Sequence, residues 1–390
     1  MKRREFLKVL GAGAGVMAVR PGVAAEPAAT GGMPRRVFGR SGIEVPILSM
    51  GGMFDIPNNQ IVLHQAMSLG VTHWDTADCY NGGKSEVGIG QFFERVPEAR
   101  AKVFLVTKSD ARDPAGMTRL LNRSLERMKT DHIDLYFIHG IGSIDEMSAE
   151  MRDWAEQAKK EGRIKLFGFS THKNMEDCML GAAKLGWIDG IMMKYDFRLR
   201  REDHMKRAVA ACVDAGIGLT AMKTMGGGPV RTGSEAELAM AGKFVQRGFT
   251  PQQAKLKAVW EDAEIACICS QMPNVTLLKA NVAAALDQVA LSQAEQAALD
   301  QYAEATAASF CAGCAARCEG ACGLPVSDVM RHLMYLRDYG DADLARRSFA
   351  GLPPDLRAAL AGHDFAAAES VCPHGLPIAR LMREATEVLA

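Results

Sequence analysis

Four polar residues of this sequence could together protonate a carbonyl oxygen. Asp75 closes the apolar segment VTHWDTAD, and Tyr80 follows five residues later. Lys108 ends the segment KVFLVTK, and His139 lies near the end of IDLYFIHG. A phenol has a pKa of about 10, and a nearby ammonium lowers that pKa by favouring the phenolate. A carboxylate can hold the lysine charged, and a neutral imidazole can orient a carbonyl oxygen. The set therefore suits protonation of an oxygen that gains charge as hydride reaches its carbon.

Cysteines form a second candidate site near the C-terminal end. Cys311, Cys314, Cys318 and Cys322 fall within twelve residues, and Cys372 follows in the segment VCPHGLPI. Thiolates at such short spacing can point at one metal centre. Zinc takes four thiolates readily, and disulfides are common in exported proteins. A C-x2-C pair closes too small a loop for a disulfide to stabilise the chain much. Iron–sulfur, zinc and disulfide chemistry therefore all remain open from the spacing alone.

The elements that must position the first site alternate between apolar runs and helical patterns. Eight runs recur along the chain, namely VPILSMG, VTHWDTAD, KVFLVTK, IDLYFIHG, IKLFGFS, IDGIMMKYD, GIGLTAMK and IACICSQM. Their nearly continuous apolar character is typical of parallel strands buried on both faces. Amphipathic segments such as GMTRLLNRSLERMKT lie between them. This alternation predicts an α/β fold, a (β/α)8 TIM barrel. An open doubly wound sheet is the alternative, but no G-x-G-x-x-G follows the first run.

A barrel of this kind carries its chemistry at the C-terminal ends of its strands. Several different polar side chains close the predicted strands: Asp75, Lys108, His139, Ser170, His172, Lys194 and Lys223. Their convergence on one rim predicts an active site there.

Length and composition restrict the remaining function classes. The chain has 390 residues, enough for one large α/β unit and an appendage. Lys and Arg together number 46, as do Asp and Glu, so no overall field favours nucleic acid or an anionic membrane. We therefore expect a small-molecule substrate and no nucleic-acid partner.

The segments HWDTADCY, the strand-ending TK and IDLYFIHG resemble the aldo/keto reductase family over roughly residues 36–299. The resemblance implies a (β/α)8 barrel that reduces a small-molecule carbonyl with NAD(P)H. It also implies roles for the four residues above. Tyr80 would be the general acid and Lys108 would tune its pKa. Asp75 would pair with Lys108, and His139 would orient the substrate.

The same resemblance implies a nucleotide site on the rim. The residues that it implies are Gly51, Gly52, Met53, Asp75, Ser170, Met222, Lys223, Ser270 and Asn281. Three positions depart from the family pattern: Met192 stands where a carboxamide-binding Gln is common, Met222 replaces a stacking aromatic, and Ala280 replaces an acidic residue. The choice between NADP and NAD stays open. The alternative function is that of a nucleotide-binding sensor or interaction protein, built on a barrel that has lost its catalytic activity.

The cysteine segment resembles the ferredoxin-like extension found at the C-terminus of some aldo/keto reductases. That resemblance implies one [4Fe-4S] cluster, for electron transfer with a partner or for structure. Its ligands would be Cys311, Cys314, Cys318 and Cys372, since Cys372 precedes a proline as in ferredoxins. The rival ligand set replaces Cys372 with Cys322.

The first residues are typical of an export signal. Arg3 and Arg4 in KRREFLK precede a weakly apolar, glycine-rich stretch and a small-residue run. The pattern resembles a twin-arginine signal with cleavage after Ala25, which predicts a periplasmic protein. We expect no membrane span in the mature protein, because the stretch is short and interrupted. The predicted divisions are a signal at 1–25, a barrel at 34–300 and an iron–sulfur helical domain at 301–390.

Overall fold

Eight parallel strands close into a barrel, as the sequence predicts. The computed structural model describes residues 32–225 and 251–390. The barrel strands are β3 (Leu48–Gly51), β4 (His73–Asp75), β5 (Phe104–Ser109), β6 (Ile133–Ile141), β7 (Ile164–Thr171), β8 (Gly190–Lys194), β9 (Gly218–Met222) and β10 (Cys267–Gln271). Neighbours pair in chain order, and β10 closes the barrel against β3. All eight lie on apolar runs that the sequence marks, because a strand covered on both faces needs apolar side chains at nearly every position.

A short hairpin that the sequence analysis does not foresee closes the other end of the barrel. Its strands are β1 (Arg35–Val37) and β2 (Glu44–Pro46), which pair antiparallel. Phe38, between them, is fully buried against the barrel interior. A Cβ at Gly218 would meet the Phe38 ring at 2.4 Å, and one at Gly190 would meet it at 2.8 Å. Glycine is therefore required at both positions for this ring to fill the barrel.

Helices cover the outside of the barrel. Their bounds are Gln60–Ser68, Lys84–Arg95, Pro114–Met128, Ala149–Lys160, Met175–Leu185, Asp203–Asp214, Pro251–Trp260, Val275–Leu286 and Gln293–Ala305. The helix Pro114–Met128 shows how local sequence sets such limits. The Asp113 side chain caps it by accepting from the Gly116 amide at 2.8 Å, and proline is tolerated at its first position. Met117 and Leu121 on its inner face are fully buried.

The C-terminal part of the chain is helical, as predicted. Its helices are Ala315–Cys322, Val326–Arg337, Ala342–Ala350, Pro354–Gly362, Ala366–Ser370 and Ile378–Leu389. They share a hydrophobic core of their own, which includes Leu333, Phe349 and Leu381. Residues Met33–Ala390 nevertheless form one compact unit. The predicted boundary at 300 stays a prediction, and the predicted signal at 1–25 lies outside the described residues.

Within residues 32–225 and 251–390, the helices are all too short or too polar to cross a membrane.

Candidate active site

A cavity of about 1100 Å³ lies at the C-terminal ends of the barrel strands. One wall is the barrel rim, where Asp75, Tyr80 and His139 contribute. The opposite wall comes from the C-terminal helices, through residues such as Arg331 and Tyr335. Polar residues predicted to meet at the rim thus line one cavity, and the C-terminal helices form its other wall.

Asp75 and Lys108 form a buried ion pair below this cavity. They lie on the adjacent strands β4 and β5, with Asp75 beside Val106 in the register. Lys108 Nζ donates to both carboxylate oxygens of Asp75, at 2.6 and 2.7 Å, and to the carbonyl of Thr76 at 2.7 Å. Burial raises the pKa of Asp75, and the Lys108 charge opposes that rise. The ammonium therefore has three protein acceptors, one for each of its N–H groups.

Tyr80 begins a short 3-10 helix, Tyr80–Gly83, directly above this ion pair. Lys108 Nζ lies 4.9 Å from the centre of its ring. Burial raises the pKa of Tyr80 well above its ordinary value, and the Asp75 charge acts in the same direction. Burial therefore outweighs the effect that the sequence analysis expects of Lys108, whose role in tuning this pKa stays a prediction. Tyr80 stays a protonated phenol at neutral pH.

His139 faces Tyr80 across the cavity, with the two rings 5.8 Å apart and nearly perpendicular. Its Nδ1 lies 2.9 Å from a carboxylate oxygen of Asp110 and 3.7 Å from the Cys79 sulfur. This contact lowers the pKa of Asp110. The pairing fixes the imidazole ring and directs its other nitrogen away from Asp110. Sequence reasoning missed Asp110, which follows Lys108 by only two residues.

The structure places most of the residues predicted to bind nucleotide on the cavity wall. Those that line it are Gly51, Met53, Asp75, Met222, Lys223, Ser270 and Asn281. The other two have structural contacts instead. Gly52 donates its amide to the Asp75 carbonyl at 2.7 Å, and the Ser170 hydroxyl accepts from the Gly140 amide at 2.9 Å. The glycines after Met225 lie outside the described residues.

Ser270 and Asn281, two of the residues that the family resemblance implies for the nucleotide, form a buried polar pair. The Asn281 amide nitrogen donates to the Ser270 hydroxyl at 3.0 Å, and both residues are at least nine-tenths buried. They are brought together by the end of β10 and the helix Val275–Leu286. A cavity that extends from Tyr80 to this pair has room for a dinucleotide-sized ligand.

Tyr335 is the main pocket residue that sequence reasoning missed. It lies on the helix Val326–Arg337 and accepts a hydrogen bond from Lys223 Nζ at 3.1 Å. Arg331, one helical turn before Tyr335, lines the same cavity, but spacing alone does not show which helix face meets the barrel. His172, which the sequence left ambiguous, also lines the cavity, and burial lowers its pKa.

Four of the five C-terminal cysteines lie together, and their role as ligands stays a prediction. Cys311, Cys314, Cys318 and Cys372 line one small cavity of their own. Cys322 lies outside that group, with its sulfur 3.8 Å from the Leu324 carbonyl oxygen. The ten cysteines, all within the described parts of the chain, form no disulfide.

The loop that carries Cys311 and Cys314 rests on the barrel rim. Lys194, at the end of β8, donates to the Cys311 carbonyl at 2.6 Å. The Asn174 amide donates to the Gly313 carbonyl at 2.8 Å, and the Asn174 side chain accepts from the Ala316 amide at 2.7 Å. Gly313 has a φ of +92°, and a Cβ there would meet the His172 carbonyl at 2.6 Å. The cysteine loop is therefore held against the wall of the active-site cavity.

Comparison with known proteins gives the class that this fold and site define. Residues 51–299 match the profile of the aldo/keto reductase family, so the chain belongs to that family. The uncharacterised oxidoreductase YqkF of Bacillus subtilis is 30% identical over 186 residues, covering 44% of this chain and 59% of that protein. The NADP(+) aldo-keto reductase yakc of Schizosaccharomyces pombe is 28% identical, covering 44% and 53%. The chain thus spans less than two thirds of either relative.

Solved structures agree on the fold. An aldo-keto reductase of Bacillus halodurans in its holo form is similar with a TM-score of 0.59 and 22% identity. The similarity covers 69% of this chain and 96% of that one.

Proposed function

We propose that this protein reduces a carbonyl compound with a nicotinamide nucleotide, using Tyr80 as the general acid. The observation that carries the proposal is that Asp75, Tyr80 and His139 line one cavity, while Lys108, buried below it, pairs with Asp75 and lies 4.9 Å from the centre of the Tyr80 ring. An acid, a fixed cation and an orienting imidazole within a single pocket are what protonation of a developing alkoxide needs. The family membership and the NADP(+) in the name of one relative support the same reading.

The residues present fit a nicotinamide nucleotide. Met222 can pack its thioether against a ring face, and Ser270 with Asn281 can bind polar groups at the far end of the cavity. When bound, NAD(P)H supplies the hydride. Tyr80 then gives its phenolic proton to the carbonyl oxygen, and His139 holds that oxygen in line. The Lys108 charge, fixed by Asp75, stabilises the phenolate that remains.

Replacing Tyr80 with Phe tests this assignment. We expect Tyr80→Phe to lower kcat for aldehyde reduction at least 100-fold, because general acid catalysis contributes roughly 10²–10⁴-fold. Turnover is followed by nucleotide absorbance with the whole chain. Tyr136→Phe is the matched control, since Tyr136 is fully buried in the barrel and outside this cavity. Equal turnover in wild type and Tyr80→Phe would show that another group is the acid.

We also propose that Cys311, Cys314, Cys318 and Cys372 hold one [4Fe-4S] cluster. Their shared cavity supports this set over the one with Cys322. A cluster holds each thiolate on a different iron, whereas zinc, which takes four thiolates readily, is the alternative for the same set.

The cluster would lie close enough to the cavity to take part in its chemistry. A second small cavity is lined by Cys311 together with His172, Lys194 and Lys223. His172 and Lys223 also line the main cavity. We propose electron exchange between cluster and pocket as the role of this contact, with a structural role as the alternative outcome.

Export by the twin-arginine route to the periplasm remains our proposal for where the protein acts. It rests on the segment that contains Arg3 and Arg4. That route carries folded proteins, so it would allow a cluster assembled in the cytoplasm to reach an oxidising compartment.

A further inference from the structure

The wall opposite the catalytic residues carries a second phenol–ammonium pair. Tyr335, only 8% exposed, comes from the C-terminal helices, and Lys223 comes from the end of β9. Lys223 Nζ donates to the Tyr335 hydroxyl at 3.1 Å and lies 4.8 Å from the ring centre. Both residues line the same cavity as Tyr80 and His139. The pair therefore faces the space in which a substrate would lie.

The charges around this pair are mainly positive. Arg331 lines the cavity one helical turn before Tyr335 and pairs with Asp328 at 2.8 Å. Lys173 pairs with the same Asp328 and, at 3.6 Å, with Glu319, so two carboxylates serve these two cations and neither reaches Lys223. Lys223 itself has no carboxylate within 4.0 Å among residues 32–225 and 251–390. The wall thus holds more positive charge than its own acidic groups neutralise.

Several hydrogen-bonding groups on this wall also lack a protein partner. Lys223 uses one N–H on Tyr335, and the Tyr335 hydroxyl, having accepted that bond, still has its own proton to donate. His332, stacked beside Tyr335 and 4% exposed, has a buried Nδ1 without a partner in the described parts of the chain. Donors that share a cavity and lack acceptors favour an anionic oxygen ligand.

We propose that Lys223 and Tyr335 form a subsite for a carboxylate carried by the carbonyl substrate. The carbonyl end would lie at Tyr80 and His139, and the carboxylate would accept from the Lys223 ammonium and the Tyr335 hydroxyl. Arg331 adds a second positive charge at the same wall. This inference rests on the proposed carbonyl reduction and narrows its substrate class to carbonyl compounds with an anionic group.

The electrostatics of Tyr335 agree with this geometry. Burial acts to raise its pKa, but the charges of Lys223 and Arg331 outweigh burial, so the pKa of Tyr335 is lowered. Tyr80 has the opposite shift in pKa. The two phenols therefore suit different tasks, with Tyr80 holding its proton for transfer and Tyr335 strengthening as a hydrogen-bond donor.

The nucleotide diphosphate is the other anion that this wall could bind. Lys223 comes directly after Met222, a residue expected beside the nicotinamide, so both ligands come near it. The two sources differ in what they require of Tyr335. If the wall binds a carboxylate of the substrate, Tyr335 contributes to the affinity for the aldehyde. If it binds the diphosphate, Tyr335 contributes to the affinity for the nucleotide.

The test uses the whole chain and two probes of nearly equal shape, 4-carboxybenzaldehyde and its methyl ester. Isothermal titration calorimetry at pH 7 gives Kd for each probe and for NADPH. We expect wild type to bind the acid at least tenfold more tightly than the ester. Tyr335→Phe should reduce that preference at least threefold, and Lys223→Gln should abolish it. Tyr339→Phe is the matched control, since it removes a neighbouring hydroxyl from the same cavity, and it should keep the preference.

Equal affinity of wild type for acid and ester would overturn the proposal. So would a Lys223→Gln variant that keeps the preference while its Kd for NADPH rises tenfold, since that result assigns the wall to the diphosphate. Turnover of the two aldehydes is measured separately. Absence of turnover for both probes counts against carbonyl reduction, while the Kd ratio still decides whether the carboxylate subsite exists.

Discussion

At the scale of single residues, the buried ammonium of Lys108 uses all its hydrogen bonds on neighbouring protein groups. Its three hydrogen bonds go to Asp75 and the Thr76 carbonyl. Removing one partner of a buried ion pair costs about 3–5 kcal/mol. Substitution of Asp75 or Lys108 would therefore test folding as much as catalysis. Tyr80→Phe is the sharper experiment, because it removes one oxygen and leaves the ion pair intact.

The ligand set of the proposed cluster can also be tested one residue at a time. We expect Cys372→Ser to lose most of the iron, because it removes one of four sulfurs that share a cavity. Cys322→Ser is the matched control and should keep its brown colour and about four irons per chain. Iron and acid-labile sulfide assays on anaerobic preparations measure both. If Cys322→Ser is colourless and Cys372→Ser is still brown, Cys322 is the fourth ligand and Cys372 is not.

At the scale of elements, buried strands explain which features the sequence could reveal. Parallel strands covered on both faces need continuous apolar runs, so all eight are visible in the sequence. Their carboxyl ends meet at one rim, which is why Asp75, Lys108 and His139 could be grouped without coordinates. Tyr335 could not be placed, because its position depends on how a separate helix packs over the barrel. Asp110 was missed because a loop residue has no periodic pattern to mark it.

Strand β4 carries an acid-sensitive residue. His73 is fully buried beside Phe104, at 4.9 Å between ring centres, and both ring nitrogens lack partners in the described chain. Burial lowers its pKa to about 3, against about 6.5 in an unfolded chain. The unfolded state therefore binds the extra proton first, so stability falls as pH drops below about 6.5.

We expect His73 to cost about 2 kcal/mol of unfolding free energy between pH 7 and pH 5. Denaturant unfolding at the two pH values measures this difference. His73→Leu should remove most of it, because leucine binds no proton. The exposed His64 is the control position, and His64→Asn should leave the difference as in wild type. A His73→Leu variant with the full wild-type loss would show that other groups cause the acid sensitivity.

At the scale of the whole molecule, the C-terminal helices help to form the cavity at the barrel rim. They supply Tyr335 and Arg331 to the cavity wall, and the cysteine loop is held against the rim. The profile match ends at residue 299, before all of these residues. Family membership therefore accounts for the catalytic rim, while the features that distinguish this chain lie in the helices C-terminal to the barrel.

Export is the prediction that concerns the intact molecule. We expect replacement of Arg3 and Arg4 by lysine to keep the full-length protein in the cytoplasm, because the twin-arginine route reads that pair. Cell fractionation with detection of the tagged chain measures the outcome. The same chain with Lys2→Arg is the matched control and should still be exported. Periplasmic recovery of the double lysine variant would contradict the proposed route.

The contact at Gly313 links movement of the cysteine loop to movement of the barrel rim. This residue leaves no room for even a methyl group beside the His172 carbonyl, so the two parts of the chain meet main chain to main chain. Such a contact contains no side chain that could rotate to absorb a displacement. We therefore expect a shift of the loop that carries Cys311 and Cys314 to move the His172 main chain at the barrel rim with it.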